Sequence, residues 1–356
     1  MARREDLHDN PPGPTLSLSP LTTSFPALTP PLRQRWPWIG PHLQTLRDTL
    51  RPPRLGPDSG QPLELALPSG EALLVLREAP AAGPPGGLVL LLHGLGGSAG
   101  SGGVRRLARW LLLSGFVVWR LNLRGAGGGR PLAAGTYAAA CNRDVLPAMA
   151  AARRAAAGLP LFGVGLSLGG AVLLNAALAA PEALDALVTV SSPLDLDACA
   201  RRIDEPGNRL YQRWLLRHLI RLTLADPFGL AEAERQGLIG PHRPRSLRAF
   251  DAAITAPRWG YSSVEAYYQQ ASALPSLLTN RLRPPLLLLQ ALDDPWVPAA
   301  AAQALRTAPT ADLELLLPAY GGHNGFHAWG DPAQASWADR QVAAWLQRQL
   351  ARADSV

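Results

Sequence analysis

The chain reads as an α/β protein built on a mostly parallel, doubly wound sheet into which a helical cap is inserted. Three observations predict this. From Leu88 onward, short apolar runs recur without period-two alternation, as central strands buried on both faces do. Helical patterns separate these runs, which is the rhythm of a doubly wound sheet. That rhythm lapses between Pro193 and Arg283, a gap of about ninety residues where connections usually take about two to six. The gap holds helical patterns and no convincing strand, so it reads as an insertion.

The first segment, residues 1–62, is an N-terminal arm. Prolines crowd residues 8–62 and exclude helix interiors and sheet ladders, so an extended or partly disordered arm is expected, with one ordered element over Trp36 to Leu50. Pro68-Ser69-Gly70 separates the apolar runs Leu63 to Leu67 and Ala72 to Leu76 and predicts a hairpin that opens the sheet. The central strands are expected at Leu88 to Leu92, Phe116 to Leu121, Leu159 to Val164, Ala186 to Val190, Pro285 to Leu289 and Leu313 to Leu317. Helices are expected at Val104 to Leu113, Tyr137 to Ala157, Leu168 to Ala180, Ala299 to Thr307 and Pro332 to Ala351. Residues 63–193 and 284–356 then form the core and residues 194–283 the cap. A cap in this position roofs the carboxyl ends of the strands, where ligands of such sheets bind.

Composition narrows the partners. Among 356 residues, 47% are hydrophobic and 17% charged, a globular balance. The formal charge is +7, yet every cation is an arginine and none lie in a run of five or six, so no nucleic-acid partner is expected. Cys141 and Cys199 form no regular framework, which argues against disulfides. Met1 to Asn10 lacks the apolar core of a signal peptide, and no uncharged apolar run approaches the ~20 residues of a membrane span. A cytoplasmic protein is expected.

The chemistry centres on Gly165-Leu166-Ser167-Leu168-Gly169, which follows the run Leu161 to Val164 and precedes a helical pattern. This is the strand, sharp turn and helix of a nucleophile elbow, with Ser167 at its tip and Gly165, Gly169 and Gly170 giving the backbone room. A serine hydroxyl needs a base to take its proton and a carboxylate to orient that base. The chain order in such folds is serine, acid, histidine. Asp293 and Asp294 lie just beyond the strand ending at Leu289. Asp294 is preferred as the acid because Pro295-Trp296-Val297-Pro298 follows it, and Asp293 is left to bond the turn. His323, in Gly321-Gly322-His323-Asn324-Gly325-Phe326, is the expected base, with His327 as its rival. The spacing of the two histidines resembles a metal pair, but the surrounding glycines oppose a helix and no third ligand is evident. Neither metal nor cofactor is implied. The loop His93-Gly94-Leu95-Gly96-Gly97 follows the strand Leu88 to Leu92, so the N–H groups of Leu95 and Leu168 are the expected oxyanion donors, and His93 is expected to brace that loop.

These motifs resemble the YheT-like branch of the α/β-hydrolases, a group taken to be esterases and related to membrane-associated phospholipases of animals. The similarity covers nearly everything after residue 35. It includes Gly40-Pro41-His42-Leu43-Gln44-Thr45, Asn122-Leu123-Arg124-Gly125, Asn208-Arg209-Leu210-Tyr211, Phe250-Asp251 and Tyr267-Tyr268 besides the segments above. The resemblance implies an α/β-hydrolase fold and gives Ser167, Asp294 and His323 the catalytic roles. The chain departs from its relatives over Arg124 to Gly135, a loop expected to line the site and to bear on substrate preference.

Arg209, Arg213, Arg217 and Arg221 recur every four residues in the cap beside Leu210, Trp214, Leu215, Leu219, Ile220 and Leu222. A basic amphipathic helix can lie peripherally on a membrane. The reading we favour is an ordinary cap helix with its apolar stripe inward and its arginines in water. Together these features predict a serine hydrolase that cleaves acyl or lipid-like carboxylic esters through an acyl-enzyme. The alternatives are an acyltransferase using the same intermediate, since the triad is common to both, and a binding protein with a degenerate site.

Overall fold

The computed structural model of the chain describes residues 31–308 and 312–353. The expectations for Met1 to Asn10 and for the arm over residues 1–30 therefore lie outside the described residues. Eight strands form one sheet: β1 Gln61–Ala66, β2 Ala72–Glu78, β3 Gly87–Leu92, β4 Phe116–Leu121, β5 Leu161–Leu166, β6 Ala186–Val190, β7 Leu286–Leu289 and β8 Leu313–Leu316. Their spatial order is β1-β2-β4-β3-β5-β6-β7-β8. The hairpin β1/β2 is antiparallel, from Gln61 opposite Arg77 to Ala66 opposite Ala72. Strand β2 runs antiparallel to β4, and every later pairing is parallel. This is the mostly parallel sheet that the unalternated apolar runs predict.

Alternate residues of β3 pack into two layers. Leu88, Leu90 and Leu92 join Val145, Ala148 and Val172 on one face, while Val89 and Leu91 join Leu107, Leu111, Val342 and Leu346 on the other. The helices facing them are α2 Gly102–Leu113, α3 Asn142–Ala156, α4 Leu168–Ala179 and the C-terminal helix Trp337–Ala353. All six residues of β3 are buried, and each fully buried leucine contributes roughly 1.5–3 kcal/mol relative to an exposed one. Because β4 lies on one side of β3 and β5 on the other, the strand order reverses there, and a crevice opens at the carboxyl ends of β3 and β5.

Two helix starts lie five residues later than expected. Tyr137 precedes α3 by five positions and lies in a loop, because its hydroxyl is engaged by the backbone of another loop. The C-terminal helix begins after Ser336, not at Pro332. The Ser336 N–H donates to Asp339 Oδ2 at 2.7 Å and the Asp339 N–H to Ser336 Oγ at 3.3 Å, a reciprocal cap that fixes the first turn.

Between β6 and β7 the described residues form helices and loops only. They include α5 Leu196–Asp204 and α6 Arg209–Leu224, and they share a core of Ile203, Leu215, Leu219, Leu247, Phe250 and Ile254. On α6, Leu215, Leu216, Leu219 and Ile220 face inward and the four arginines face outward, but Leu210 and Trp214 are also exposed, at 80% and 59%. No helix among the described residues is long and apolar enough to cross a membrane.

Several arginines are structural. Arg120, 1% exposed, holds Asp58 and Glu78. Arg124 forks onto Asp144 and Glu71, and Arg106 lies between Asp48 and Asp339. Buried guanidinium groups need such partners to offset lost hydration.

Segment 31–62 is not merely extended. Helix α1, Pro41–Leu50, seats the fully buried Gln44 against the loop after β8.

Candidate active site

Ser167 is the turn residue between β5 and α4. Its φ of 53° and ψ of −126° lie where residues with a Cβ are strained. The surroundings hold it there: its N–H donates to the Val190 carbonyl at 2.8 Å, and any Cβ on Gly165 would strike the backbone of Gly169 and Gly170. Glycine at 165 is what lets α4 return so closely over β5. Gly94 plays the same part from the neighbouring strand end, since a Cβ there would lie 2.8 Å from Ser167 Cβ.

The structure brings Ser167, His323 and Asp294 together. His323 Nε2 lies 2.9 Å from Ser167 Oγ, and its Nδ1 lies 3.0 Å from Asp294 Oδ2. Asp294 is 3% exposed and His323 6%. The carboxylate is held by further donors: Gln290 Nε2 to Oδ2 at 3.1 Å, and the Trp296 and Val297 N–H groups to Oδ1 at 2.8 and 3.0 Å. The Pro295-Trp296-Val297-Pro298 stretch thus turns its backbone donors onto the acid. Asp293 points elsewhere. Its Oδ1 accepts from the Gly322 N–H at 2.9 Å, and burial, with the Asp294 charge beside it, raises its pKa.

His327 does not reach Ser167. Its ring lies 3.3 Å from Asp48, and burial lowers its pKa despite that carboxylate. His323 and His327 therefore face different partners.

Leu95, in the loop after β3, and Leu168, at the start of α4, line the same cavity as Ser167. Leu168 opens α4, so its N–H has no helical partner, and no backbone acceptor takes the Leu95 N–H among the described residues. The Leu95 loop is braced from behind. His93 Nδ1 lies 2.8 Å from the Gly94 carbonyl, and the Leu123 N–H donates to His93 Nε2 at 3.2 Å. These partners fix one neutral tautomer, and complete burial lowers the His93 pKa to about 4. The Tyr137 hydroxyl donates to the Gly94 carbonyl at 2.8 Å and accepts from the Gly96 N–H at 2.8 Å.

Several contacts escaped the sequence patterns. The Trp296 indole stacks on the His323 ring with centroids 4.6 Å apart, Tyr211 of α6 meets Trp296 edge-on, and His42 of α1 stacks on Tyr211. Thr45 Oγ1 accepts the His323 N–H at 2.9 Å. The motif Gly40 to Thr45 signalled that this segment matters, without saying to what it docks.

A cavity of about 310 Å³ opens at Ser167. Its walls are mostly apolar, with Leu196, Ile203, Leu215 and Leu247 from the segment between β6 and β7, and Asp251 and Tyr268 among its polar members. The loop Arg124 to Gly135, expected to line the site, does not touch this cavity. It borders a neighbouring crevice with Gly96 and His218, and Arg130 turns to cap the carbonyls of Leu222 and Ala225 at the end of α6.

A family model for the alpha/beta hydrolase fold matches residues 87–328. The chain is 31% identical over 276 residues to the "Putative esterase YheT" of Escherichia coli (strain K12), covering 74% of this chain and 77% of that one. It is 28% identical over 240 residues to the phospholipase ABHD3 of Mus musculus, covering 67% of this chain and 58% of that one. A solved soluble variant of monoglyceride lipase from Saccharomyces cerevisiae, in complex with a substrate analog, aligns with a TM-score of 0.56 at 20% identity, over 84% of this chain and 98% of that one. Est1E from Butyrivibrio proteoclasticus aligns with a TM-score of 0.52 at 15% identity, over 82% and 100%. At these identities the two structures share the fold.

Proposed function

Because the chain belongs to the alpha/beta hydrolase family, we propose that it is a carboxylic ester hydrolase whose nucleophile is Ser167. The observation that carries this reading is the line of contacts from Ser167 Oγ through His323 to Asp294, at 2.9 and 3.0 Å. In the first half-reaction His323 Nε2 takes the Ser167 proton as Oγ attacks the ester carbonyl, and the Leu95 and Leu168 N–H groups stabilise the oxyanion. The C–O bond to the alcohol then breaks, and the alcohol leaves with the proton from His323. Water attacks the acyl-enzyme, gives its proton to His323, and the acid departs as Ser167 regains its hydrogen. Asp294 keeps the imidazole oriented and stabilises its charged form.

Residues 194–283 act as the cap over this chemistry, and 63–193 with 284–356 as the core that positions it. The apolar walls favour acyl or lipid-like esters, in keeping with the esterase and phospholipase names of the relatives. A fluorophosphonate probe tests the reading. Covalent labelling of the folded wild-type protein, lost in Ser167→Ala, is expected. Failure to label, or labelling that persists in Ser167→Ala, would overturn it.

A further inference from the structure

The cavity at Ser167 holds a carboxylate that the acyl-transfer steps leave unused. Asp251 opens a π-helical turn, Asp251–Thr255; such single turns inside α-helices often sit at functional positions. Asp251 Oδ1 accepts from Thr255 Oγ1 at 2.6 Å, and Oδ2 from the Tyr268 hydroxyl at 2.7 Å. Both donors are neutral, and among the described residues no arginine pairs with this carboxylate; the nearby Arg248, over the Tyr268 ring at 5.5 Å, is committed to Asp197 and Glu265. Burial accordingly pushes the carboxyl up to about 6. Asp251 nonetheless keeps accessible surface, and it lines the same cavity as Ser167. Tyr267 and Tyr268, with ring centroids 5.4 Å apart, line that cavity too.

An ionised carboxylate among apolar groups is costly to maintain without a counter-charge. The ligand that relieves this cost is a cation with N–H donors. A neutral hydroxyl would add a third neutral donor to oxygens that already accept one each, and would leave the charge uncompensated.

We infer that Asp251 recognises a protonated amine carried by the ester substrate, accepting its N–H while the ester carbonyl lies at Ser167. The inference rests on the acyl-enzyme reading above and adds to it a substrate class, amine-bearing esters. Asp251 is a specificity-determining residue and takes no part in the proton transfers.

The test compares matched aryl esters of increasing chain length that end in either an ammonium or an isosteric methyl group, at neutral pH. At one length the amino ester should have the higher kcat/KM in wild-type protein. The ratio of amino to methyl ester should fall by about tenfold or more in Asp251→Asn, as expected on losing a charge-assisted contact, with the change residing in KM. Preference for the methyl ester at every length, or an unchanged ratio in Asp251→Asn, overturns the inference. A purely structural role for Asp251 would move both esters together and leave the ratio alone.

A second measurement needs no variant. An alkylammonium ion should protect wild-type Ser167 from fluorophosphonate labelling better than the alcohol of the same length, and equal or weaker protection counts against the inference. If methyl esters are cleaved and Ser167 is labelled without any preference for the amine, only the amine assignment fails. If nothing is cleaved or labelled, the acyl-enzyme reading fails and takes this one with it.

Discussion

Gln44 grips the backbone of His327 from both sides: its side-chain carbonyl accepts the His327 N–H at 2.8 Å and its amide donates to the His327 carbonyl at 2.9 Å. The same amide also reaches the Trp38 carbonyl at 2.6 Å. One residue later, Thr45 Oγ1 takes the N–H of His323. Helix α1 thus positions the loop that presents His323 to Ser167, although it precedes the sheet in sequence.

Removing these grips should therefore impair catalysis from outside the cavity's chemistry. Gln44→Ala leaves the His327 N–H and carbonyl buried and unpaired, at about 1–3 kcal/mol for each group that water cannot reach. We expect a lowered Tm together with a fall in kcat, and a smaller change in KM. Thr45→Val should lower kcat with less loss of stability. Thermal denaturation alongside ester kinetics checks both, and a Gln44→Ala protein with wild-type kcat would show that α1 does not position His323.

The two adjacent aspartates should separate cleanly. Asp294→Asn replaces the acceptor at His323 Nδ1 and favours the wrong tautomer, so kcat should drop about 10³–10⁴-fold. Asp293 bonds the Gly322 N–H, and its second oxygen is buried without a partner, so Asp293→Asn should cost less than about tenfold, as for a neutral replacement that can keep one hydrogen bond. Equal losses in the two variants would contradict the assignment of Asp294.

The Tyr137 hydroxyl joins the Gly94 carbonyl to the Gly96 N–H across the loop that carries Leu95. Tyr137→Phe removes that tie and keeps the ring packed on His93, where the centroids are 5.4 Å apart. Loosening one oxyanion donor should lower kcat by about tenfold, less than the 10²–10³ of deleting a donor outright. Steady-state kinetics with KM held near its wild-type value would support this, whereas a change confined to KM would not.

Asp251 supplies a stability test of opposite sign. Its folded pKa is raised from 3.8 to about 6, so ionising it opposes folding, and the stability present below the unfolded value is lost as pH rises through the folded one. At pH 7.5 Asp251→Asn should therefore be more stable than wild type, by roughly 1–3 kcal/mol. The difference should shrink as pH falls below about 6. Denaturant unfolding at both ends of that range checks the sign. A variant that is destabilised most at pH 7.5 would mean that the carboxylate is compensated.

Much of this architecture was legible in the sequence because it is written in local patterns. The unalternated runs at Leu88 to Leu92 and Ala186 to Val190 mark strands buried on both faces, and they are found as β3 and β6. The elbow at Ser167 is equally local, since the glycines at 165, 169 and 170 and the turn they permit lie within six residues of one another. The positions of Asp294 and His323 follow from strand ends, because a parallel sheet gathers its carboxyl-terminal loops on one edge.

The rest depended on residues far apart in the chain. Nothing within Tyr137 to Ala157 reveals that Tyr137 will leave the helical pattern to bond a loop forty residues earlier. Nor does the stretch around Gln44 show that it will close on His327, or that Trp296 will stack on His323 under Tyr211. By itself the sequence determined the sheet, the elbow and the kinds of side chain available to it, since spacing and backbone sterics act over a few residues. Only the tertiary structure decided which histidine faces Ser167 and which aspartate bonds that histidine, what holds them, and that Asp251 lines the same cavity. Those outcomes are set by packing between distant segments, where a side chain's direction depends on the neighbours that exclude its alternatives.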